Sequence, residues 1–256
     1  MTDEGTGSAD GLSPYEVEAM RSMEDRHWWY RGLRAHVIHS IPPLPPTFSL
    51  LDAGCGAGGM LARLRAAFPQ AKLTGIDLSE TALALTRERA TGAELLRAST
   101  DKLPFHDAFF DLVLSLDVLA FRGVADLEAL REMQRVLRPG GTLLVNVPAF
   151  SFLRGSHDAA VNQVRRYTRP QLDALLKGAG FTSARATYWN MSLLPAIVAV
   201  RWLSRRKARR PDVRSDLAGQ RILGNKFFHQ LTRSELAVSR HVALPFGTSL
   251  FAVAHK

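Results

Sequence analysis

From about residue 47 onward, short apolar runs alternate with longer stretches in which apolar residues recur at helical spacing. This alternation is typical of βαβ units and predicts an α/β fold with a parallel sheet. The predicted strands cover residues 48–51, 73–76, 94–98, 112–116, 143–147, 184–189 and 249–254. The predicted helices cover residues 61–68, 79–90, 124–136 and 168–179.

The first 46 residues follow a different pattern. Ser13 and Pro14 provide a helix cap and a proline at the first helical position, so we predict a helix from there to about Ser40. The prolines at 42, 43, 45 and 46 end it. We therefore expect a disordered tail over residues 1–12, a helical lid over 13–46, and one domain over 47–256 with a helical insertion at about 190–245.

Composition narrows the class of protein. With 256 residues, 46% of them hydrophobic, the chain is long and apolar enough for a globular core. The longest apolar run, 193–200, is much shorter than the roughly 20 residues of a membrane-spanning helix. Residues 1–10 lack the basic and apolar regions of a signal peptide, and Cys55 is the single cysteine. We therefore expect a cytoplasmic protein without disulfides.

The formal net charge is +9, and the basic excess is uneven, because six basic residues form one run that directly follows the apolar stretch 193–203. Three interpretations stay open: a solvated loop, weak contact of residues 193–210 with an anionic membrane or substrate, or a nucleic-acid site. Nucleic acid is the least favoured partner, because no aromatic residues interleave with the basic ones. The run consists of Arg201, Arg205, Arg206, Lys207, Arg209 and Arg210.

A glycine-rich turn joins the first predicted strand to the first helix of the domain, at residues 52–59. Glycines allow a tight turn and a close approach of the backbone to a ligand, and a helix N-terminus offers free N–H groups. Gly54, Gly56 and Gly59 also satisfy the GxGxxG pattern of dinucleotide-binding proteins, so an NAD(P)-dependent oxidoreductase is a real alternative.

Three carboxylates and a second glycine motif indicate which class of ligand the turn binds. Asp52 precedes the turn, where it would repel a pyrophosphate but suits an ammonium or sulfonium group. Asp77 ends the second strand, where a carboxylate can accept two ribose hydroxyls. Asp101 follows the third strand, where it can accept an adenine amino group. Residues 137–141 read Leu-Arg-Pro-Gly-Gly before the fifth strand.

Together, these motifs resemble those of the class I S-adenosylmethionine-dependent methyltransferases over about residues 50–147. The resemblance implies a Rossmann-like, seven-stranded, mostly parallel sheet with an antiparallel last strand and an N-terminal helical lid. It implies S-adenosylmethionine as cofactor and S-adenosylhomocysteine as product. The implied cofactor-binding residues are Asp52, Gly54, Cys55, Gly56, Gly58, Asp77, Leu78, Asp101, Lys102, Leu103, Ser115, Leu116, Trp29 and Arg34.

The flanking residues resemble a narrower group of bacterial methyltransferases associated with secondary-metabolite or cell-surface glycan pathways. The marks of that group are residues 24–31, 147–149, 157–158, 165–167 and 179–181. One feature departs from many relatives, which follow the fourth strand with an acidic residue and a histidine. Here Ala120 and Phe121 stand in those places, so a histidine that some family members bring beside the substrate is absent.

Methyl transfer from a sulfonium is a direct displacement, so a general base is needed only when the nucleophile holds a proton. His157, oriented by Asp158, is the predicted base, and a loop histidine with a structural role fits equally well. The predicted substrate-binding residues, all of which also suit purely structural roles, are His27, Tyr30, Arg165, Arg166 and Tyr167. No metal site is predicted, because the histidines are scattered.

The sequence thus predicts a biosynthetic methyltransferase for a small-molecule acceptor in secondary metabolism, with methylation on oxygen rather than nitrogen. The first alternative is a methyltransferase for a lipid-linked or glycan substrate at a membrane surface. The second is an NAD(P)-dependent oxidoreductase. A third is a protein of the same fold that binds the cofactor without methylating, or that catalyses another reaction.

Overall fold

The computed structural model describes residues 14–90, 92–155, 158–159, 161–195, 198, 225–239 and 242–256. These residues contain a seven-stranded sheet of order β3-β2-β1-β4-β5-β7-β6, in which β7 runs antiparallel to both neighbours. The predicted fold class is confirmed. The strands are β1 (Ser49–Ala53), β2 (Lys72–Asp77), β3 (Glu94–Arg97), β4 (Phe110–Leu116), β5 (Leu137–Pro148), β6 (Ser183–Trp189) and β7 (Ser249–His255).

Helices cover both faces of this sheet. Because successive side chains of a strand point to opposite faces, Leu50 packs in the layer with Leu33 and Leu61, whereas Leu51 packs in the layer with Leu130. The described helices are α1 (Pro14–Glu24), α2 (Trp28–Ser40), α3 (Gly59–Ala67), α4 (Glu80–Arg89), α5 (Asp126–Val136), α6 (Arg169–Gly178) and α7 (Asn225–Ser239). None of the described helices is long and apolar enough to cross a membrane.

The prediction of one continuous helix to Ser40 is wrong. The chain turns between α1 and α2, and His27 adopts an extended conformation with φ −74° and ψ 132°. Its ring accepts a hydrogen bond from the Trp29 N–H (3.3 Å), which caps the start of α2. A histidine in this capping role ends the helical pattern at a place where helix propensity alone shows no break.

The motif at residues 137–141 lies far from the glycine-rich turn. It forms the beginning of β5, which starts six residues earlier than predicted (Leu137, not Leu143), and it produces an irregularity in the pairing with β4. Gly140 donates to the Lys256 carbonyl (3.3 Å), and Gly141 accepts from the Lys256 N–H (3.1 Å). The motif therefore joins β5 to the C-terminal end of β7, at the opposite edge of the sheet from the carboxyl ends of the parallel strands.

Helix α7 lies within the predicted insertion and packs on α2. The rings of Trp28 and Phe228 lie 5.9 Å apart, and a side chain on Gly32 would collide with Thr232. The Glu235 carboxylate accepts hydrogen bonds from the Met191 and Ser192 N–H groups, both 3.0 Å. The predicted tail at 1–12 and the basic run at 201–210 lie outside the described residues, so both stay predictions.

Candidate active site

A cavity of about 440 Å³ opens at the carboxyl ends of β1, β2, β4 and β5, beneath α1 and the start of α2. Cavities of this size hold small ligands, and open α/β sheets bind ligands at this edge. We call the part formed by the turns after β1, β2 and β3 the glycine half. We call the part lined by residues of the segments 121–124, 148–153, 161–166 and 248–249 the loop half.

The glycine half is shaped by backbone that other residues would not adopt. Gly54 has a φ of 96° and lies against Val118, and Gly56 has a φ of 54° with Met20 of α1 above it. A Cβ on Gly56 would lie 2.7 Å from the Met20 methyl carbon. The turn therefore presents bare backbone to the cavity, as a ligand in close contact requires.

Asp77 closes the glycine half on the β2 side. One of its carboxylate oxygens accepts from the Gly56 N–H (3.0 Å) and the other from the Ser79 N–H (2.9 Å). Burial raises the pKa of this carboxyl despite those hydrogen bonds. Each oxygen keeps a second lone pair, so the group can still accept from a pair of ligand hydroxyls.

Asp52 supplies a buried carboxyl with no countercharge among the residues that the structure describes. It is 1% exposed, and its Oδ1 has no hydrogen-bond partner among the described residues. Burial, reinforced by the nearby carboxylates of Glu24 and Asp77, raises the pKa of Asp52 to about 7. A cationic ligand in this half would relieve the repulsion between these groups, because opposite charges attract strongly where water is excluded.

The lid is held over the glycine half by an ionic network. Glu24 at the end of α1 pairs with Arg34 of α2 (3.6 Å) and with Arg89 of α4, and Asp25 pairs with the same two arginines (3.0 and 2.7 Å). The Glu24, Arg34 and Arg89 side chains are only 9%, 14% and 14% exposed. The network therefore ties α1 and α2 to the helix that follows β2.

Aromatic residues of α2 form the roof of the cavity. Trp29 stacks on Trp189 of β6, with ring centroids 5.7 Å apart, and meets Tyr30 edge to face at 5.0 Å. His27, Trp28, Trp29 and Tyr30 all line the cavity. Burial also raises the pKa of the Tyr30 hydroxyl, with smaller contributions from nearby carboxylates. The aromatic cluster thus both docks the lid and faces the site.

Asp117, which the sequence analysis did not select, lies where the two halves meet. It follows the end of β4 with a φ of 64°, and its Oδ1 accepts from the Asn146 side chain (2.9 Å). Burial raises the pKa of Asp117 to about 7, against the lowering effects of Asn146 and of the Arg166 charge. The sequence alone could have identified Asp117, because it is the first polar residue after a buried central strand, at the sheet edge where ligands bind.

After β3, the residues that line the cavity come just before those predicted to bind an adenine. Ser99 and Thr100 line the cavity, whereas Asp101 accepts from the Ser99 hydroxyl (2.5 Å) and does not line it. Lys102 is exposed and Leu103 lies in the core. Their predicted contacts with a cofactor stay predictions.

Asp158, predicted to orient the base, and two residues predicted for the substrate make internal contacts that brace the loop half. Asp158 is 1% exposed and pairs with Arg166 (2.7 Å), which lines the cavity. Arg165 donates to the carbonyls of Leu119, Phe121 and Val124 at 3.3, 3.1 and 2.9 Å. Tyr167 is buried and donates to the Leu119 carbonyl (2.8 Å). His157 lies outside the described residues, so its predicted role as base remains a prediction.

The predicted site residues divide into two sets. Those that line the cavity are His27, Trp29, Tyr30, Arg34, Asp52, Gly54, Cys55, Gly56, Asp77, Leu78, Leu116 and Arg166. Those that the structure places elsewhere are Gly58, Asp101, Lys102, Leu103, Ser115, Asp158, Arg165 and Tyr167. The sequence analysis missed Glu16, Met20, Glu24, Ser99, Thr100, Asp117, Gln163, Thr248 and Ser249 in the wall.

Comparisons with known proteins identify the family. Residues 50–141 match the family described as "Methyltransferase domain". The chain is 30% identical over 180 residues to a demethylmenaquinone methyltransferase of Chlorobaculum tepidum, across 59% of this chain and 72% of that protein. The chain belongs to the class I S-adenosylmethionine-dependent methyltransferases. The predicted enzyme class and cofactor are thereby confirmed, and the NAD(P) alternative is excluded.

Two further similarities are to one curated relative and to one solved structure that shares the fold. It is 30% identical over 151 residues to a phthiotriol/phenolphthiotriol dimycocerosates methyltransferase of Mycobacterium tuberculosis, covering 54% of this chain and 52% of that protein. The chain thus spans about half the length of this relative. Haemonchus contortus phosphoethanolamine N-methyltransferase 2, solved with phosphomonomethylethanolamine and S-adenosylhomocysteine, shares the fold at a TM-score of 0.63 and 20% identity, over 95% of this chain and 57% of that chain.

The glycine half fits S-adenosylmethionine on two observations. The orphaned Oδ1 of Asp52 and the neighbouring carboxylates favour a ligand that carries an ammonium and a sulfonium. Gly54 and Gly56 line the cavity with positive φ values that other residues rarely adopt, so backbone rather than side chains faces the ligand there. Bound there, the cofactor supplies a methyl group on positively charged sulfur, already activated for displacement.

We expect Asp77→Ala to weaken S-adenosylhomocysteine binding by about 1.5–3 kcal/mol, roughly 10- to 150-fold, because charged hydrogen bonds to the ribose are lost. Isothermal titration calorimetry on the full chain measures the change. Asp101→Ala is the comparison: a similar loss would support its predicted adenine contact, and a change below about threefold would argue against it. Unchanged affinity in Asp77→Ala would remove Asp77 from the cofactor site.

Proposed function

We propose that this methyltransferase transfers the methyl group to a hydroxyl of a small, largely apolar acceptor bound in the loop half. The observation that carries the proposal is the composition of that half. Its walls combine five apolar side chains with five polar ones, so the half offers both apolar contact and hydrogen-bonding groups. The apolar residues are Phe121, Val124, Pro148, Leu153 and Val161; the polar ones are Arg122, Gln163, Arg166, Thr248 and Ser249.

The loop half is closed by a segment that folds back over the end of β4. The Arg122 N–H donates to the Asn162 carbonyl (2.9 Å), and the Val164 N–H donates to the Ala120 carbonyl (2.9 Å). A defined pocket with apolar residues in its walls favours the exclusion of water from the reacting groups, which assists direct displacement on a charged donor. Such a pocket suits an aromatic or aliphatic acceptor better than a strongly hydrated one.

Oxygen is the favoured nucleophile because the site offers a proton acceptor. Asp117 is at hand between the halves, and His157 with Asp158 stays a second proposed base. We further propose that His27 and Tyr30, which line the cavity from the roof, contact the acceptor, and that Arg166 contributes a positive charge beside it. The lid then encloses the acceptor after it has entered.

A second candidate acceptor is a lipid-linked molecule that stays at a membrane surface. The Phe152 side chain, next to Leu153 of the cavity wall, is 55% exposed and presents an apolar surface. The basic run at 201–210 adds the charge that anionic headgroups attract. The mycobacterial relative is named for dimycocerosates, and that name supports a lipid-linked acceptor.

We expect methyl-tritiated S-adenosylmethionine to label phenolic or aliphatic hydroxyl compounds in preference to matched amines. The assay offers each pair at equal concentration, and excess S-adenosylhomocysteine provides the background. NMR of the product distinguishes an O-methyl from an N-methyl group. A long-chain phenol is also tested in solution, in neutral vesicles and in anionic vesicles.

Label that enters only the amines would overturn the proposal of O-methylation. Transfer to the long-chain phenol in anionic vesicles, with little transfer to soluble hydroxyl compounds, would establish the second candidate in place of the first. Equal transfer in neutral and anionic vesicles would show that the basic run plays no part in acceptor delivery.

A further inference from the structure

The carboxyl of Asp117 lies at the junction of the glycine half and the loop half. The next residue, Val118, packs on Gly54 of the glycine-rich turn, and Phe121 begins the loop half three residues further on. The other carboxyl side chains in the described wall belong to α1 (Glu16 and Glu24) or to the first two strands. Asp117 is therefore the described carboxyl placed to meet an acceptor and the donor's transferable group together.

Asn146 of β5 fixes the orientation of this carboxyl. The Asp117 N–H donates to the Asn146 carbonyl (2.8 Å), and the Asn146 amide nitrogen donates to Asp117 Oδ1 (2.9 Å). The second oxygen, Oδ2, receives no hydrogen bond from the described residues. One oxygen is thus anchored and the other is left for the cavity.

Trp189 determines which way the Asn146 amide points. The Trp189 Nε1–H donates to Asn146 Oδ1 (2.8 Å), and an indole nitrogen is a donor only, so the amide oxygen must face it. The amide nitrogen is then turned to Asp117, where it favours the ionised carboxylate. Trp189 is fully buried and stacks on Trp29, so the lid packs directly on this chain of hydrogen bonds.

The charged and titratable groups that face Asp117 come from three segments. The Arg166 charge in the loop half lowers the pKa of Asp117. The charges of Asp117 and of Glu24 on α1 in turn raise the pKa of Tyr30 on α2. Burial outweighs Asn146 and Arg166 and raises the pKa of Asp117 to about 7. A base whose pKa lies near the working pH is both available and strong enough to accept a proton.

We propose that Asp117 is a catalytic residue that accepts the proton of the acceptor hydroxyl, with Asn146 and Trp189 as its positioning residues. The proposal rests on the proposed O-methylation. The hydroxyl proton passes to Asp117 Oδ2, and an oxygen lone pair forms the new bond to the methyl carbon. The electron pair of the broken carbon–sulfur bond stays on sulfur, which thereby becomes neutral.

The first test needs no acceptor. The protein is labelled with ¹³C at the aspartate carboxyl groups, and its NMR signals are followed against pH in the presence of S-adenosylhomocysteine. We expect the signals of both Asp52 and Asp117 to titrate near neutral pH. The Asp117 signal is the one that disappears in Asp117→Asn and that titrates at higher pH in Asn146→Ala, because a hydrogen bond that favours the charged form is lost. Asp173→Asn, an exposed position on α6, should leave that signal unchanged. An Asp117 signal that titrates in the ordinary acidic range would overturn the proposal.

Cofactor affinity separates this role from cofactor binding. We expect Asp117→Asn and Asp173→Asn to bind S-adenosylhomocysteine within about threefold of the unaltered protein. A loss of about 30-fold or more in Asp117→Asn alone would mean that Asp117 holds the cofactor, and the proposal would fall.

The third test measures turnover of the hydroxyl acceptor identified by the labelling assay. We expect kcat of Asp117→Asn to fall about 100-fold or more, the usual contribution of a general base, with little change in KM for S-adenosylmethionine. Asn146→Ala should shift the rising limb of the pH profile to higher pH, which a merely structural role would not do. An unchanged kcat in Asp117→Asn, alongside confirmed O-methylation, would overturn this inference and leave the proposed function intact.

Discussion

Replacing Asp52 by asparagine should raise the free energy of unfolding by about 2–4 kcal/mol at mildly alkaline pH. The native carboxyl is 1% exposed with an orphaned oxygen, and its pKa is raised to about 7. A group that binds its proton more tightly in the folded state costs stability as the pH rises from its unfolded pKa to its folded pKa. The neutral amide of the variant avoids that cost.

The pH dependence gives this prediction its sign. Near pH 4 the variant and the unaltered protein should be about equally stable, and the difference should grow until the pH passes about 7. Urea unfolding at a series of pH values measures it, and Asp173→Asn is the exposed control that should show no trend. A variant less stable than the unaltered protein at every pH would contradict this interpretation of Asp52.

The gain in stability of Asp52→Asn should be accompanied by a loss of cofactor affinity. We expect Asp52→Asn to bind S-adenosylmethionine more weakly, because the carboxylate that repels its neighbours in the free protein attracts a cationic ligand. Natural binding sites often trade stability for such preorganised charge.

The second large effect concerns the ionic network of the lid. Arg89→Met should destabilise the fold by about 3 kcal/mol, near the lower end of the range for breaking a buried ion pair. Glu24 is then left with Arg34 at 3.6 Å as its remaining ionic partner, in a position that is 9% exposed. The double variant Glu24→Met with Arg89→Met should recover most of the loss, because no buried charge stays unpaired.

Arg131→Met is the matched control for this experiment. Arg131 pairs with Glu128 at 3.7 Å, but both side chains are 56% exposed, so its loss should change stability by no more than about 0.5 kcal/mol. Urea unfolding compares the three variants, and hydrogen exchange in α1 reports whether the lid has come loose. Equal effects of Arg89→Met and Arg131→Met would show that the network does not hold the lid.

The glycine half of the site was predictable because the residues that identify it form short motifs in the sequence. Gly54 and Gly56 mark a turn that few other residues can form, and Asp77 marks the end of a strand at the binding edge. The mostly parallel sheet and its antiparallel last strand followed from the alternation of apolar runs and from the resemblance that the motifs carry. The sheet edge and the ligand class could therefore be inferred before any contact was known.

What the sequence analysis missed depends on contacts between distant segments. Asn146 and Trp189 lie 43 positions apart, and Glu24 and Arg89 lie 65 positions apart, so nothing in the local pattern pairs them. Asp158 and Arg166 are only eight positions apart, but they lie in an irregular segment where no helical or strand spacing indicates their pairing. His27 was assigned to a continuous helix because helical spacing does not reveal that its ring caps the next helix.

Calorimetric titration of the full chain with S-adenosylhomocysteine and, separately, with NADH tests the central claim most directly. The cavity combines bare glycine backbone with buried carboxylates, which suits a cationic or ammonium-bearing nucleoside and repels a pyrophosphate. We predict saturable binding of S-adenosylhomocysteine and no measurable heat from NADH. Saturable binding of NADH without a response to S-adenosylhomocysteine would contradict the account.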